Sequence, residues 1–491
     1  MDVISAAAAN NKKTTIVTEA IREDKNTFQK EQNDLLKFML GERFFKPWSL
    51  YRDYGEEFDR PHSLFDESSL EIYITSSCNQ KCEYCYLQQF PLLYPKEYNN
   101  KALIMKNLDI LYNWLIENRY RLHQIEFYTG EIWQGEWGLE VLEATYQAIK
   151  RGLQVESFLI PSNCSFVMNE SQLNKIQKYI NKFQREFNIP IIFSISVDGQ
   201  IIESDTRPLN SGEVKTNAYY ERLFLFAAHN KFFFHPMVAA YAIERWIENY
   251  DWWDKMCKEY GYNVDEHVMM LEVRNNDWTE EKIQHYLNFL DYMMEKRFND
   301  VGGDAYSFMK DLFCFGGEGL HGYVPYAPAQ ADNFAGCSIP NSLTVRLGDL
   351  AICPCHRTAY NKFLYGWFKV EDDKIVDIIA NNPQMAVRVL MANNNLCSFG
   401  CDDCAYAAYC LKGCYGSQYE NVGDPFMPVP GVCNFFKEKW RFIIRKYEEL
   451  GVIEECKKIN PYHEAYVRIQ EFLNFVEGVN KDVKQQQMAK R

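Results

Sequence analysis

Three cysteines in the first quarter of the chain have the type and spacing that could hold a metal cluster. The run CNQKCEYC, Cys78 to Cys85, spaces them C-x-x-x-C-x-x-C directly after an apolar run, Leu70 to Thr75, that is typical of a strand. Iron–sulfur clusters are normally held by four cysteine thiolates, and a four-thiolate zinc site would favour paired C-x-x-C motifs. Three thiolates on one loop can therefore hold three irons of a four-iron cluster and leave the fourth open. A chance grouping or a zinc loop is the alternative.

This motif resembles that of the radical S-adenosylmethionine (SAM) superfamily. The resemblance implies that Cys78, Cys82 and Cys85 hold a [4Fe–4S] cluster whose open iron binds the amino and carboxylate groups of SAM. It also implies that Tyr84, the aromatic residue before the third cysteine, lies close to the adenine of SAM.

The elements that must position this loop are six strand–helix units between Leu70 and Lys296. Such alternation predicts a parallel sheet with right-handed crossovers, and by itself it also suits a doubly wound sheet or an ordinary barrel. The resemblance implies an α/β fold of the partial (β/α)6 TIM-like barrel type. Asp277 and Glu280 predict a capping box at the start of the last helix. The predicted strands are Leu70–Thr75, Gln124–Thr129, Val155–Pro161, Ile191–Val197, Phe233–Tyr241 and Val268–Val273.

In barrels of this type the chemistry lies at the carboxyl ends of the strands, so the loops that follow the strands are where to look for a site. The second strand leads into YTGEIW, where the family usually has Gly-Gly-Glu-Pro; Gly130 and Glu131 match the last glycine and the acid, while Thr129 and Ile132 depart from the pattern. Glycine lets the backbone approach a ligand closely. The resemblance implies that a carboxylate or a carbonyl of this loop accepts a hydrogen bond from SAM's ammonium group. After the next two strands, Asn163 and Ser196 match polar positions near SAM.

A second group of cysteines lies in the C-terminal third. Ten residues and then Gly348 follow Cys337, and four more residues separate Gly348 from Cys353; a C-x-x-C-x5-C-x3-C run and one further cysteine complete the set. This pattern resembles the SPASM domain, which binds two auxiliary iron–sulfur clusters, whereas a zinc ribbon would leave most of these cysteines unused. The run and the last cysteine are Cys401, Cys404, Cys410, Cys414 and Cys433.

The resemblance also distributes these cysteines between the two auxiliary clusters. It implies that Cys401, Cys404, Cys410 and Cys433 hold the outer cluster, and that Cys337, Cys353 and Cys414 hold the inner one. The fourth ligand of the inner cluster stays open between Cys314, Cys355, Cys397 and an iron left free for substrate. Cys164, Cys257 and Cys456 fit ordinary buried or surface thiols better.

Composition limits the possible classes of protein. The chain has 491 residues, of which 47% are hydrophobic and 24% charged, as in a soluble globular protein of two or three units. The net charge of −14 argues against a nucleic-acid partner. No run reaches the ~20 apolar residues of a membrane helix. The N-terminus lacks the apolar core of a secretion signal, so we expect a cytoplasmic location. In a large cytoplasmic protein we expect the 16 cysteines to include metal ligands rather than disulfide bonds.

Four segments follow from these observations. We expect an N-terminal extension over residues 1–64, with a helix near Lys25 to Leu40, and a radical SAM partial barrel over 65–298. A bridge and the SPASM domain follow over 299–433, then flanking C-terminal helices and a tail over 434–491, polar and frayed from Lys481.

The resemblance therefore implies a radical SAM/SPASM maturase that oxidatively modifies a ribosomally made peptide or protein, with a thioether or carbon–carbon crosslink as the favoured product. An anaerobic sulfatase-maturating (formylglycine-forming) enzyme and an iron–sulfur electron carrier without SAM chemistry are the alternatives. The implied cofactors are SAM and three iron–sulfur clusters. The implied partners are the peptide or protein substrate and an external electron donor such as flavodoxin or ferredoxin, with no nucleic acid and no membrane. No general base can be identified from the sequence.

Overall fold

The structure is a computed structural model, and it describes most of the chain with several gaps. The described residues are 25, 27–40, 69–94, 99–128, 130–308, 342–382, 384–385, 401, 403–407, 410, 414–462 and 466–490. Cys314, Cys337, Cys397 and Thr129 lie outside them, as does most of the predicted N-terminal extension.

The core is a mixed sheet of nine strands in the order β11-β10-β9-β8-β1-β2-β3-β4-β5. Two further strands, β6 and β7, form a separate parallel pair. The strands are β1 Ser69–Tyr73, β2 Arg121–Tyr128, β3 Gln154–Ser162, β4 Ile191–Ile195, β5 Phe233–Phe234, β6 Met237–Val238, β7 Leu271–Glu272, β8 Ser342–Arg346, β9 Ala351–Cys353, β10 Gly366–Glu371 and β11 Lys374–Ala380.

The helices of the described residues pack around this sheet. They are α1 over 27–40, α2 Tyr86–Gln89, α3 Lys101–Glu117, α4 Trp137–Arg151, α5 Glu170–Phe187, α6 Glu203–Thr206, α7 Asn217–Asn230, α8 Trp246–Glu259, α9 Val264–His267, α10 Glu280–Asp300, α11 Tyr415–Val422, α12 Pro430–Glu449, α13 Val452–Lys458 and α14 Tyr466–Ala489. Within the ranges described, no helix has both the length and the apolar character needed to cross a bilayer.

The six predicted strands all appear in the predicted places. The first five pair in parallel in sequence order, from β1 to β5. The fifth is interrupted at Pro236 and continues as β6, because proline cannot donate to the ladder. A parallel bridge from Phe234 to Val268 and the β6-β7 pair add the sixth. The predicted α/β architecture with a parallel sheet is confirmed, and its closure into a partial barrel stays a prediction.

Helix α5 shows how local sequence sets these units. Its N-cap Asn169 accepts a hydrogen bond from the backbone N–H of Gln172, which satisfies one of the free donors of the first turn. Ile176, Ile180 and Phe183 are buried at helical spacing against the sheet. The helix ends where Asn188 takes a left-handed conformation, φ 57°.

The structure adds four strands that the sequence prediction missed. Strand β8 pairs in parallel with β1 on the side away from β2, and β9, β10 and β11 continue the sheet in antiparallel fashion. Asp372 and Asp373 both have positive φ, 48° and 58°, as a two-residue hairpin turn between β10 and β11 requires. Residues predicted as bridge and SPASM domain thus share one sheet with the barrel strands. The proposed segment boundaries stay predictions.

Three helices confirm or correct details of the prediction. The helix predicted near Lys25 to Leu40 is present as α1. The cap of α10 is Thr279, whose hydroxyl accepts from the N–H of Lys282, so the capping box predicted from Asp277 is wrong. Helix α14 continues to Ala489, so the prediction of a frayed tail from Lys481 is also wrong. Buried Val479 still packs on the core shortly before that point.

Candidate functional site

The cysteine loop, residues 78–85, leaves the carboxyl end of β1 and is fastened by backbone hydrogen bonds to the segment that follows β4. The N–H of Lys81 donates to the carbonyl of Pro208 at 2.9 Å, and the N–H of Glu83 donates to that of Thr206 at 3.1 Å. The side chain of Asn210 donates to the carbonyl of Cys78 at 2.8 Å. The loop is therefore held in place at the edge of the sheet where sequence analysis expected the site.

Burial raises the pKa of all three thiols in the cysteine loop. The pKa of Cys78 rises to about 12, because of burial and then the nearby charge of Glu131. Burial likewise raises the pKa of Cys82 and Cys85, and the neighbouring thiols Cys78 and Cys85 add to the shift of Cys82. The guanidinium of Arg207 opposes the shift at each of the three, and that of Arg357 also does so at Cys85. The thiols thus share a buried environment near Arg207, and metal binding would release their protons.

Tyr84, the predicted adenine neighbour, belongs to a buried polar network. Its hydroxyl donates to the two carboxylate oxygens of Asp198 at 2.8 and 3.0 Å, and the guanidinium carbon of Arg207 lies 5.2 Å from its ring centroid. Arg207 Nε lies 2.9 Å from Asp198 Oδ1, and both side chains are almost fully buried. The backbone N–H of Met237 also donates to Asp198, at 2.8 Å. Asp198, which follows β4, therefore joins the cysteine loop to the start of β6.

Gly130 and Glu131 bring the loop after β2 against the cysteine loop. The N–H of Glu131 donates to the carbonyl of Ser77 at 2.8 Å. The carboxylate of Glu131 is buried and accepts from Ser162 Oγ, from the N–H of Asn163 at 2.8 Å and from that of Trp133 at 3.2 Å. Burial raises the pKa of Glu131 to about 7 against these hydrogen bonds. The carboxylate therefore ties the loop after β2 to the end of β3.

Asn163 and Ser196 follow β3 and β4 at the same edge of the sheet. The Asn163 amide donates to the side chain of Asn79, inside the cysteine loop, at 2.8 Å. The N–H of Ser196 donates to the carbonyl of Ser162 at 2.8 Å. Asn79 also donates to Ser165 Oγ at 2.9 Å. The structure thus brings the predicted residues of four consecutive loops to one edge of the sheet.

Five cysteines of the second group line one cavity, which we call the cysteine cavity. Its volume is about 50 Å³, which exceeds the roughly 10–15 Å³ that one water requires. Arg274 and Lys437 add positive charge to the wall, and Val432 and Phe436 add apolar surface. Such a set of donors could hold an iron–sulfur cluster. The five cysteines are Cys401, Cys404, Cys410, Cys414 and Cys433.

The remaining described cysteines lie elsewhere. Cys353 ends β9 and is fully buried, and its thiol contacts the carbonyl oxygen of Thr344 at 3.5 Å. Cys164, Cys257 and Cys456 are buried too, as ordinary structural thiols would be. Among the described residues, no three His, Cys, Asp or Glu side chains lie close enough to share a single metal ion.

Sequence analysis missed Arg207 and the function of Asp198 in this network. From the sequence Asp198 is recognisable only as part of an Asp-Gly turn, and Arg207 lies in a segment without any motif. The available signal was an Asp-Gly pair directly after a strand, followed by an arginine that precedes a proline. Asp198 and Arg207 can be paired only if it is known that the chain folds back onto the cysteine loop at α6. No local sequence pattern shows this.

No protein-family model matches the chain, and no curated protein sequence matches it. Solved structures that are similar in fold include the following two. One, described as polyhistidine-tagged anSMEcpe with bound AdoMet, has a TM-score of 0.50 and 14% identity over 82% of this chain and 98% of its own. The other, native anSMEcpe with bound AdoMet, has a TM-score of 0.52 and 15% identity over 80% of this chain and 100% of its own. These are anaerobic sulfatase-maturating enzymes of the radical SAM/SPASM type, so the predicted resemblance is confirmed in fold.

Proposed function

We propose that this protein is a radical SAM enzyme that modifies a peptide or protein substrate oxidatively. The observation that carries the proposal is the position of the cysteine loop. Its three thiols lie at the carboxyl end of β1, and the loops after β2, β3 and β4 hydrogen-bond to the loop or lie at the same edge. An electron carrier would not need the loops after several strands to meet at the cysteine loop. It would also have no need for a cluster with one iron that has no protein ligand.

The residues of the loop and its neighbours would hold and orient the cofactors. Cys78, Cys82 and Cys85 would ligate the cluster, which when bound supplies the electron that splits SAM into methionine and a 5′-deoxyadenosyl radical. Gly130 would let the loop after β2 lie directly against the backbone before the cysteine loop, where a Cβ atom would lie 2.1 Å from the carbonyl oxygen of Ser77. Tyr84, fixed by its hydrogen bonds to Asp198, would present a ring of constant orientation to the adenine.

Glu131 would influence SAM binding indirectly, by holding the surrounding loops in place, and its carboxylate would not contact SAM. Its two oxygens already accept hydrogen bonds from Trp133, Ser162 and Asn163, and these nearly fill the acceptor sites of a carboxylate. Its function here would be to fix the ends of β2 and β3 relative to the cysteine loop. The acceptor for SAM's ammonium group would then be a backbone carbonyl of the same loop.

The cysteine cavity supports the proposal that the substrate is oxidised overall. Auxiliary clusters held by the second group of cysteines would accept the electron that a substrate radical loses when it forms a new bond. We therefore propose a thioether or carbon–carbon crosslink in a ribosomally made peptide as the product. Formylglycine formation on a sulfatase is the second candidate, because the two similar folds belong to sulfatase-maturating enzymes.

SAM cleavage tests the class of the protein. Anaerobically reconstituted protein given dithionite and SAM is expected to release 5′-deoxyadenosine, which a mere electron carrier would not do. Cys82→Ala removes one of three ligands and is expected to abolish the release, whereas Cys257→Ala, at a buried thiol of α8, is expected to keep it. Normal cleavage by Cys82→Ala would show that the cysteine loop is not the cluster site.

Substrate analysis separates the two products. A short peptide precursor or a sulfatase encoded beside the gene is the substrate to supply. Mass spectrometry of a crosslinked peptide is expected to show loss of two hydrogens with the sulfur retained, whereas formation of formylglycine from cysteine removes the sulfur. Cys404→Ala is expected to impair this turnover more than it impairs SAM cleavage alone.

A further inference from the structure

Gln80 lies between the first two cysteines of the cysteine loop, and its side chain is buried, with 2% of the residue exposed. Its backbone is held against the segment that follows β4. Gln80 and Leu209 form an antiparallel bridge, and the N–H of Lys81 donates to the carbonyl of Pro208 at 2.9 Å. The side chain of Gln80 therefore starts from a fixed backbone position inside the loop that would hold a cluster.

Gln80 contacts the thiols on both sides of it. Its backbone N–H donates to Sγ of Cys78 at 3.4 Å, and its side-chain Oε1 accepts from the thiol of Cys82, with 3.6 Å between sulfur and oxygen. Its Nε2 is buried, and no atom in the described part of the chain accepts a hydrogen bond from it. A buried amide N–H without an acceptor is unfavourable, so this nitrogen lacks a partner that it needs.

A cluster on the loop would change what the Cys82 sulfur can do. A thiolate that ligates iron carries no proton, so it cannot donate to Oε1 of Gln80 and can only accept. Rotation of the terminal amide by about 180° exchanges its oxygen and nitrogen and leaves the rest of the side chain in place. Among the described residues the thiol of Cys82 is the one partner of this amide, so the rotation breaks no other hydrogen bond.

We propose that Nε2 of Gln80 donates a hydrogen bond to the thiolate of Cys82 when the cysteine loop holds its cluster. The proposal rests on the proposed function, which requires a cluster on this loop. Hydrogen bonds to the sulfurs of an iron–sulfur cluster are among the features that set its reduction potential. The reduced cluster carries more negative charge, so the bond stabilises it more than the oxidised cluster and raises the potential.

The contact is tested by electron nuclear double resonance on dithionite-reduced, full-length protein with ¹⁵N in its glutamine side chains. A variant with Cys78, Cys82 and Cys85 changed to alanine identifies, by difference, the signal of the cluster on the loop. This signal is expected to show a ¹⁵N coupling in the wild type and to lose it in Gln80→Met, whose side chain is unbranched and cannot donate. Absence of the coupling in the wild type overturns the proposal, whether or not Gln80→Met binds iron.

The effect on the potential is measured by a redox titration of the same signal. At a fixed potential Gln80→Met is expected to show about a tenfold lower ratio of reduced to oxidised cluster, a shift of about 59 mV for a one-electron couple. Gln172→Met is the control, because Gln172 is also buried but donates to the carbonyls of Trp133 and Gly135. Wild-type behaviour of Gln80→Met, or an equal shift in Gln172→Met, overturns the proposal.

Failure of the proposed function would appear separately. It would be seen as wild-type protein that holds the cluster on the cysteine loop but releases no 5′-deoxyadenosine from SAM. Neither measurement on Gln80 uses SAM, so the hydrogen bond to Cys82 is tested independently of that release.

Discussion

At Gly130 the loop after β2 comes so close to the cysteine loop that a side chain has no room. Its φ is +52°, and a Cβ atom would lie 2.1 Å from the carbonyl oxygen of Ser77 and 2.8 Å from that of Thr75. Both oxygens belong to the backbone just before Cys78, so neither can move without moving the loop. Gly135, five residues on, also has a positive φ, +75°, but a Cβ there would meet nothing within 4 Å.

These two glycines give a matched pair of substitutions. Gly135→Ala is expected to cost only the strain of a left-handed alanine, about 1 kcal/mol of unfolding free energy. Gly130→Ala adds a clash with backbone and is expected to cost several times more and to lower the iron bound by the cysteine loop. Guanidinium unfolding and iron analysis of the reconstituted proteins measure both effects. Equal costs for the two variants would show that the loops do not meet as described.

Two buried carboxyl groups, Glu71 and Glu126, lie on paired positions of β1 and β2. Burial works to raise the pKa of Glu71, but the charge and hydrogen bonds of His356 and the hydroxyl of Thr344 hold it below its usual value. Burial, and then the charge of Glu71, raises the pKa of Glu126 to about 7. The pair therefore holds one proton over a wide range of pH.

Glu126→Gln is expected to change how stability depends on pH. Between its unfolded pKa of 4.5 and its folded pKa of about 7, Glu126 binds more proton in the folded state, so its contribution is present at low pH and is lost as pH rises. The wild type should lose stability relative to Glu126→Gln by on the order of 2–3 kcal/mol across that window. Urea unfolding at pH 5 and pH 8 measures the difference, and parallel curves for the two proteins would contradict it.

Residue identity and spacing predicted the cysteines but not the partners of the polar residues. Cys78, Cys82 and Cys85 are recognisable because their spacing is local. The hydrogen bonds of Glu131 depend on the register of β2 against β3, which brings Ser162 and Asn163 beside it. A single sequence contains no signal for that register.

Among the elements, α1 covers the open edge of the sheet. Asn33 Oδ1 accepts from the N–H of Ala380 in β11 at 2.8 Å, and Gln29 donates to the Ala380 carbonyl at 3.0 Å. Lys37 pairs with Asp377 of the same strand. An edge strand with unpaired backbone groups invites pairing with other chains, and side chains of α1 occupy these groups instead.

Replacing Gln29 and Asn33 together by alanine is expected to free the backbone groups of Ala380. Loss of about 1–2 kcal/mol of hydrogen bonding should speed hydrogen exchange at the Ala380 amide by roughly tenfold. Lys30→Ala, at an exposed position of the same helix, serves as the control. If exchange at Ala380 is the same in both variants, α1 does not cap this strand in solution.

The elements with strong local periodicity were predictable, and those fixed by distant pairing were not. The stripe of α5 and the six strand–helix units follow from apolar spacing alone. Strand β9 was hard to predict because it has only three residues and ends at Cys353, which sequence analysis assigns to metal binding, and β8 and β10 are recognised only through their pairing with β9 and β1. The Asp372-Asp373 turn was the available signal for the β10-β11 hairpin.

At the scale of the whole molecule, a buried ion pair joins the C-terminal helices to the sixth strand. Lys439 of α12 pairs with Glu272 of β7, and both side chains are at most 5% exposed. The hydroxyl of Tyr286 donates to the same carboxylate at 2.6 Å. Breaking such a pair leaves a buried charge without compensation, whereas removing both charges need not destabilise the protein.

Lys439→Met is therefore expected to cost about 3–5 kcal/mol of unfolding free energy, and Lys439→Met combined with Glu272→Gln is expected to recover most of that loss. Arg445→Met breaks an exposed pair with Glu449 on the same helix, 3.9 Å long, and is expected to cost under about 1 kcal/mol. Denaturant unfolding of the four proteins gives the comparison. A double variant as unstable as the single one would show that the pair itself, and not the unpaired charge, matters.

Strand β1 has a neighbour on each side, β2 within the barrel units and β8 from beyond residue 341. A fragment that stopped at Asp300 would strip one flank of β1 and leave its amides and carbonyls open to any other chain. The first cysteine motif thus depends on a strand from beyond residue 341, and a protein truncated at Asp300 is expected to be insoluble.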